Sequence, residues 1–292
     1  MKHSLTITLI LVGIFFLSQI VGLSIINQYV AEKVVNETTG EVINVTYSEL
    51  PLNLERPEVE ESQSYLFILA AVLIGTALVL LLIKFRGFRL WKLWFFFAVS
   101  LCLTIAFAAF IQAFIALGLA VVVALLKIYR PSVIIHNVSE IFVYGGLAAI
   151  FVPIMNLFAI VLLLLLISVY DMIAVWKSKH MVKMAKFQTE SKVFAGLSIP
   201  YKIPKKVKKP GKGMKKEMIK SAILGGGDVG FPLLFAGVLM KSFGFLKVLV
   251  VPVVVTIGLF LLLYFAKKDR FYPAMPFITA ACFVGYGVLL LI

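Results

Sequence analysis

Long apolar segments, separated mostly by short polar connections, are the feature that most constrains the fold of this chain. Of its 292 residues, 62% are hydrophobic and only 14% are charged, so a water-soluble globule of this size would lack the polar surface that it needs. A helix that spans a bilayer consumes about 20 apolar residues, and the chain holds nine such helices if most connections are short. We therefore predict an all-α polytopic membrane protein with nine transmembrane helices.

The apolar segments also place these helices along the chain. The first segment lacks an A-x-A cleavage site, so we favour a retained helix over a secretory signal peptide. Two segments are too long for one helix, and we expect turns near Gln112 or Gly118 in one and near Pro153 and Asn156 in the other. The nine helices are predicted over about 5–30, 65–83, two within 94–126, 141 to the turn at 153, 157–176, from 218 through 228 onward, 246–265 and 276–292.

Charged residues predict which side of the membrane each connection occupies. An acidic connection follows the first helix over about 31–64, and 14 lysines lie within 177–220. If the chain starts inside and crosses nine times, 24 of its 28 Lys and Arg residues are cytoplasmic, as the positive-inside rule expects. We therefore predict an N-terminal bundle (1–176), a basic cytoplasmic loop (177–217) and a C-terminal bundle (218–292), with a cytoplasmic N-terminus and an exterior C-terminus.

The remaining composition argues against several classes of function. The net charge of +14 comes without a nucleic-acid-binding motif, and a solvated basic loop that also attracts anionic lipid explains it better. Cys102 and Cys282 have no CxxC partner, and His3, His136 and His180 are far apart and form no HExxH pattern. We expect no metal, no cofactor and no nucleic acid, and the lipid bilayer is the first partner that we expect.

Two aspartates stand out because acids are rare in apolar helices. Asp171 lies about five residues before the basic end of the sixth predicted helix, and Asp228 lies about eight residues after Lys220 on the seventh. A carboxylate in the bilayer costs at least about 2.5 kcal/mol on insertion scales and normally faces a cavity, a partner or a functional path. At 1.5 Å per residue, the two depths are about 8 and 12 Å from the same face. The pair can therefore meet, and we expect these two residues to be the only acids deep in an apolar helix.

Two carboxyl groups that share a site indicate general acid–base chemistry. Like charges cannot both form easily, so the pair holds one proton over a useful pH range. The ionised member can take a proton from an attacking water while the protonated member donates to a peptide carbonyl oxygen. Because such a pair titrates jointly, the acid and base roles are not assigned to single residues.

Three short motifs occur in a specific order around these aspartates. They are Tyr170-Asp171, Gly225-Gly226-Gly227-Asp228 and Pro273-Ala274-Met275-Pro276, and they resemble the YD, GxGD and PAL motifs of the presenilin and signal peptide peptidase family. The resemblance covers the C-terminal half, whereas the N-terminal half agrees only in topology. Met275 departs from the family's leucine, but the exchange roughly keeps volume and apolarity.

The resemblance implies a presenilin-like fold and an intramembrane aspartic endopeptidase. It implies that Asp171 and Asp228 are catalytic and that the active site is shaped by the other motif residues, which are Tyr170, Gly225, Gly226, Gly227, Pro273, Ala274 and Met275. The predicted orientation is similar to that of presenilin, which favours single-span transmembrane substrates with an exterior N-terminus. From the modest length we expect that no accessory subunit is required, and a homo-oligomer is left open.

Other interpretations of the same residues are weighed beside this one. Gly226 and Gly230 form a GxxxG spacing, which also serves close helix packing. Buried acids also occur in proton-coupled transporters, although those often have two related halves and both acids here lie in the second half. A third possibility is a membrane scaffold in which the aspartates clamp two helices together. The less charged piece over 187–201 is expected on the membrane surface or within the protein, where it could control access to a site.

Overall fold

A computed structural model describes residues 4–35, 42–178, 180–191, 193–203, 218–266 and 272–292. Within these ranges the chain forms α-helices and two antiparallel hairpins. The helices are α1 (Leu5–Gln28), α2 (Ser64–Lys84), α3 (Phe88–Ala108), α4 (Ala113–Tyr129), α5 (Val133–Phe151), α6 (Leu157–Met172), α7 (His180–Ser191), α8 (Gly226–Val248), α9 (Val250–Phe265) and α10 (Met275–Leu289). The hairpins pair β1 (Val30–Val35) with β2 (Val42–Tyr47), and β3 (Gly196–Ile203) with β4 (Met218–Gly225).

Helix length and composition identify an integral, multi-pass membrane protein. Among the described residues, six helices are long and apolar enough to cross a bilayer, namely α1, α2, α3, α5, α8 and α6 together with the π-helical segment Ile173–Lys177 that continues it. Three more apolar helices, α4, α9 and α10, are 15–17 residues long. Helix α7 differs from all of these because apolar and charged residues alternate along it.

Helix α8 lies at the centre of the bundle. It contacts α1, α5, α6, α9 and α10, and all of its residues from Leu233 to Met240 are buried. Two glycines allow this close approach: Gly22 of the neighbouring helix α1 receives the side chain of Leu233, and Gly237 of α8 faces Val152. The first turn of this central helix carries Asp228.

Helix α2 lies at the periphery. Its exposed apolar side chains include Phe67, Ile74 and Leu78, which are 41%, 60% and 50% exposed. Such a surface would aggregate in water but is compatible with lipid. It contacts α3, α6 and α7, and this places it beside the end of α6 that carries Asp171.

The expectation of an all-α fold was wrong in two places. The acidic connection contains the β1–β2 hairpin, and the seventh predicted helix does not begin at Met218 because residues 218–225 form β4. Apolar residues in that stretch are equally suited to a strand, and the partner strand β3 satisfies its backbone hydrogen bonds. The helix begins instead at Gly226, so Asp228 lies in its first turn.

Other helix limits also differ from the predicted ones. Gln112 precedes α4, which confirms one of the two expected turn positions, whereas Gly118 lies inside α4. Asn156 confirms the other turn, because its side chain accepts a hydrogen bond from the backbone of Ala159 at 2.8 Å and so caps α6. Helices α3 and α5 begin six and eight residues earlier than predicted (88 rather than 94, 133 rather than 141). The early turns of α5 carry polar residues whose partners are described below.

The less charged piece over 187–201 lies within the protein. Phe187, Val193 and Leu197 are buried, and β3 contacts α1, α5 and α8. The lysine-rich stretch 204–217 and the basic connection 267–271, which includes Asp269, fall outside the described residues.

Candidate active site

Asp171 lies at the C-terminal end of α6, where the helix passes into a π-helical segment. Its side chain is buried, and its Oδ2 accepts a hydrogen bond from the backbone N–H of Met275 at 3.1 Å. Met275 is the first residue of α10, and N–H groups in the first turn of a helix have no partner within that helix. The carboxylate therefore satisfies a donor that the start of α10 leaves free.

Asp228 lies in the first turn of α8 and is 7% exposed. The positive end of the helix dipole favours negative charge at this position. Gly225 precedes the helix in an extended conformation, and a Cβ atom there would lie 3.2 Å from Oδ2 of Asp228. Helix α8 contacts α6, and both Asp171 and Asp228 are buried.

The third motif contributes through its backbone. Pro273 is buried, Ala274 immediately precedes α10, and Met275 is 3% exposed. The side chain of Met275 packs in the main apolar core, while its N–H faces Asp171. Because the polar contact is made by the main chain, methionine in place of leucine leaves it intact.

The three glycines before Asp228 have different surroundings. Gly225 pairs with Gly196 at the end of the β3–β4 hairpin. A Cβ on Gly226 would lie 3.0 Å from the hydroxyl of Tyr144, and one on Gly230 would lie 3.8 Å from the same ring. Close packing against α5 therefore accounts for the GxxxG spacing. Gly227 is exposed, so the motif presents one open backbone position beside Asp228.

Tyr170 does not direct its hydroxyl towards the two acids. The hydroxyl shares hydrogen bonds with Thr76 Oγ1 of α2 at 2.9 Å and with His180 Nε2 of α7 at 3.1 Å. Burial and the nearby Lys183 lower the pKa of His180 from its usual value of 6.5. Tyr170 thus attaches the end of α6 to two neighbouring helices.

A second contact joins α6 to α10 near the site. Ser168 and Thr279 share a hydrogen bond of 2.8 Å between their hydroxyls, and both residues are buried. Ser168 also donates to the carbonyl of Leu164 at 2.7 Å. This contact lies one turn before Asp171 and fixes the helix that carries it against the helix that begins at Met275.

The expectation that no other acid lies deep in an apolar helix was wrong. Glu140 in α5 is 1% exposed and forms an ion pair with Lys127 of α4, which is 4% exposed. Lys127 is one of the 24 basic residues that the predicted topology places on the cytoplasmic side. A polar face of α5, with His136, Asn137 and Glu140 at neighbouring helical positions, was the sequence signal that could have located this cluster.

Comparisons with known proteins agree with this architecture. The family model described as "Signal-peptide peptidase, presenilin aspartyl protease" matches residues 42–292. Two solved structures of a presenilin family intramembrane aspartate protease are similar in fold: one in space group C222 (17% identity, TM-score 0.62, covering 97% of this chain and 98% of that chain) and one in space group P2 (19% identity, TM-score 0.62, covering 96% of each). None of the curated proteins matches this sequence.

Proposed function

Because the chain belongs to the signal-peptide peptidase and presenilin aspartyl protease family, it is an intramembrane aspartic endopeptidase, and we propose that Asp171 and Asp228 are its catalytic pair. The observation that supports this proposal is the burial of both carboxyls, one at the end of α6 and one in the first turn of α8, on two helices that contact each other. Two buried acids in an apolar bundle are costly unless they serve a function.

In the proposed reaction the pair shares one proton. The ionised carboxylate takes a proton from a water molecule as the water oxygen attacks the peptide carbonyl carbon, and the protonated carboxyl donates to the carbonyl oxygen. The tetrahedral intermediate then collapses as a proton passes to the amide nitrogen, which leaves as an amine. No covalent enzyme intermediate forms, and every proton that one carboxyl gives is recovered from the water.

The hydrogen bond from Met275 orients one member of the pair. It binds Oδ2 of Asp171 and so restricts rotation of this carboxyl. A fixed donor of this kind keeps the reacting groups aligned, and alignment contributes several kcal/mol to catalysis in general. Gly227 is exposed and has no side chain of its own, so an extended substrate segment can approach the backbone next to Asp228 closely.

The substrates that we propose are single-span membrane proteins with an exterior N-terminus. This proposal rests on an orientation in which the N-terminus and the 177–217 loop are cytoplasmic, the C-terminus is exterior, and the three shorter helices α4, α9 and α10 also cross the membrane to give nine spans. The distribution of basic residues supports this orientation. We further propose that the enzyme acts without accessory subunits.

A proton-coupled transporter, the other candidate for buried acids, is not favoured. The family match covers the segments that carry both aspartates. A transporter would use the same two aspartates. The two functions are therefore distinguished by whether substrate fragments form, and not by the location of the site.

Cleavage of a single-span test substrate by purified protein tests the proposal. Asp171→Asn and Asp228→Asn keep the shape of each side chain but remove the acid, and we expect each to lower the rate by roughly 10²-fold to 10⁴-fold. Glu61→Gln is the matched control, because Glu61 is an exposed acid on the loop before α2 whose side chain is 56% exposed. Cleavage at the unmodified rate by either aspartate variant, with substrate fragments of the same mass, would contradict the assignment.

A further inference from the structure

Glu140 uses both of its carboxylate oxygens within the protein. Oε1 pairs with Lys127 Nζ, and Oε2 accepts hydrogen bonds from the Tyr144 hydroxyl and, at 3.2 Å, from the backbone N–H of Gly196. Lys127 donates in addition to Ser139 Oγ at 2.8 Å. This buried cluster of Lys127, Glu140 and Tyr144 is distinct from the two aspartates and takes no part in the reaction described above.

A buried ion pair contributes little to stability compared with apolar residues of the same size. Desolvation of two charges offsets most of their attraction, so packing alone does not explain why this pair lies among apolar helices. Its contacts indicate a different role, because two of the three groups bound to Glu140 lead directly to the segment before Asp228.

The first connection runs through the hairpin. Gly196 donates to Glu140 and is paired with Gly225 across β3 and β4. Gly196 has φ +138°, and a Cβ atom there would lie 2.2 Å from the carbonyl oxygen of Leu224. Only glycine fits this position, so the chain is held in an unusual conformation at the point where Glu140 binds it.

The second connection runs through Tyr144. Its hydroxyl donates to Glu140 and lies 3.0 Å from the position of a Cβ on Gly226. Glu140 therefore fixes the ring that packs against the first turn of α8. Gly225 and Gly226, the first two glycines before Asp228, are thus both in contact with groups that Glu140 binds.

Neighbouring residues of α5 strengthen the attachment of β3. Asn137 donates to the carbonyl of Ser198 at 2.9 Å and accepts from its N–H at 3.0 Å, which is the pattern of a paired strand. His136 Nε2 lies 2.8 Å from the carbonyl oxygen of Gly196. The polar side chains of α5 therefore form hydrogen bonds with the backbone of β3 along the edge that does not pair with β4.

We propose that Glu140, neutralised by Lys127, is a positioning residue that holds Gly225 and Gly226 in place and so orients Asp228 for the reaction. This proposal rests on the catalytic role proposed for Asp228. Because Glu140 acts on the geometry of the acid and not on substrate binding, loss of its hydrogen bonds lowers kcat and leaves KM unchanged.

Two double variants separate this role from that of the ion pair. Lys127→Met with Glu140→Gln removes both charges but retains an oxygen that accepts from Tyr144 and Gly196. Lys127→Met with Glu140→Leu removes the acceptor as well, and apolar replacement of a buried pair is normally compatible with folding. Ser100→Ala is the control, because Ser100 of α3 is also buried and its Oγ has no hydrogen-bond partner among the described residues.

We expect the leucine double variant to lose kcat per folded enzyme by on the order of 10²-fold with KM unchanged, and the glutamine double variant to recover most of this loss. Equal kcat for the two, at equal folded fraction, would overturn the proposal. If the double variants do not fold, Tyr144→Phe decides, since it deletes one hydroxyl only: a lowered kcat at constant KM supports the proposal and an unchanged kcat overturns it.

The same assay includes Asp228→Asn. Cleavage activity in that variant would contradict the catalytic role proposed for Asp228, and with it the positioning role of Glu140. If Asp228→Asn is inactive and the leucine double variant is fully active, only the positioning role of Glu140 is contradicted, and the catalytic role of Asp228 stands.

Discussion

The backbone N–H of Met275 donates a hydrogen bond of 3.1 Å to Oδ2 of Asp171 across 104 residues of sequence. The contact joins the start of α10 to the end of α6 and depends on the path of the main chain. The contact therefore requires a backbone N–H at position 275 and not a particular side chain.

Substitutions at Met275 test this dependence. Met275→Leu should keep cleavage within roughly threefold of the unmodified enzyme, because volume and the N–H are both retained. Met275→Pro deletes the N–H at the first position of a helix, where proline is otherwise tolerated. A lost hydrogen bond to a charged group is worth about 1.5–3 kcal/mol, so the rate per folded enzyme should fall roughly 10-fold to 100-fold in steady-state cleavage. Equal rates for the two variants would contradict the role of the N–H.

Glycine substitutions test the packing of α3 against α5. A Cβ on Gly146 would lie 1.9 Å from the carbonyl oxygen of Cys102, whereas one on Gly118 would have nothing within 4 Å among the described atoms. Gly146→Ala should lower the free energy of unfolding by about 3 kcal/mol or more, because a backbone atom cannot yield. Gly118→Ala should be neutral or stabilise α4 by up to about 1 kcal/mol. Thermal unfolding in detergent measures both, and similar midpoints for the two variants would refute this packing.

The contact between Tyr170 and His180 should depend on pH. Burial lowers the pKa of His180 when it is bound to Tyr170. As pH falls below about 6.5, a His180 side chain released into water therefore takes up a proton more readily than one bound to Tyr170. The attachment of α7 is therefore fully present above that pH and weakens as pH falls through the lowered pKa. Hydrogen exchange of the α7 amides, corrected for intrinsic rates, should show less protection at about pH 5.5 than at about pH 7.5. His180→Gln, which does not titrate, should show no such difference.

Lys241 should stabilise the turn between α5 and α6. Its Nζ donates to the carbonyls of Pro153 at 3.1 Å and Met155 at 2.7 Å, and lies 3.7 Å from Glu61. Lys241→Met leaves both carbonyls without this donor and should cost about 1–3 kcal/mol in the free energy of unfolding. Glu61→Gln removes only the exposed partner and should change it by less than about 1 kcal/mol. Chemical unfolding of the two variants compares these effects, and a larger loss for Glu61→Gln would reverse the assignment.

Burial of Asp171 and Asp228 could be predicted from the sequence, because a charged residue within an apolar segment has few alternatives. Their roles as acid and base remain a prediction. The contacts of the third motif could not be predicted, because the N–H of Met275 donates the hydrogen bond and almost any residue type would supply the same group.

Residues that depend on distant partners were missed. Residues 218–225 are apolar enough for a helix, and only their pairing with 196–203 makes them a strand. Glu140 was overlooked because the polar residues at the start of α5 resemble a connection when read alone. Their polar groups are satisfied by Lys127 and by the backbone of β3, and neither partner can be identified from local sequence.

The burial of α8 also determines how water reaches the proposed site. From Val229 to Met240 every residue is buried except Phe231, which is partly exposed. Gly227, by contrast, is exposed in the turn that carries Asp228. Hydrolysis consumes one water per bond, and a path along α8 from its far end would have to cross these buried residues. We therefore expect water to reach Asp228 from the end of the bundle where the hairpin lies and Gly227 is exposed.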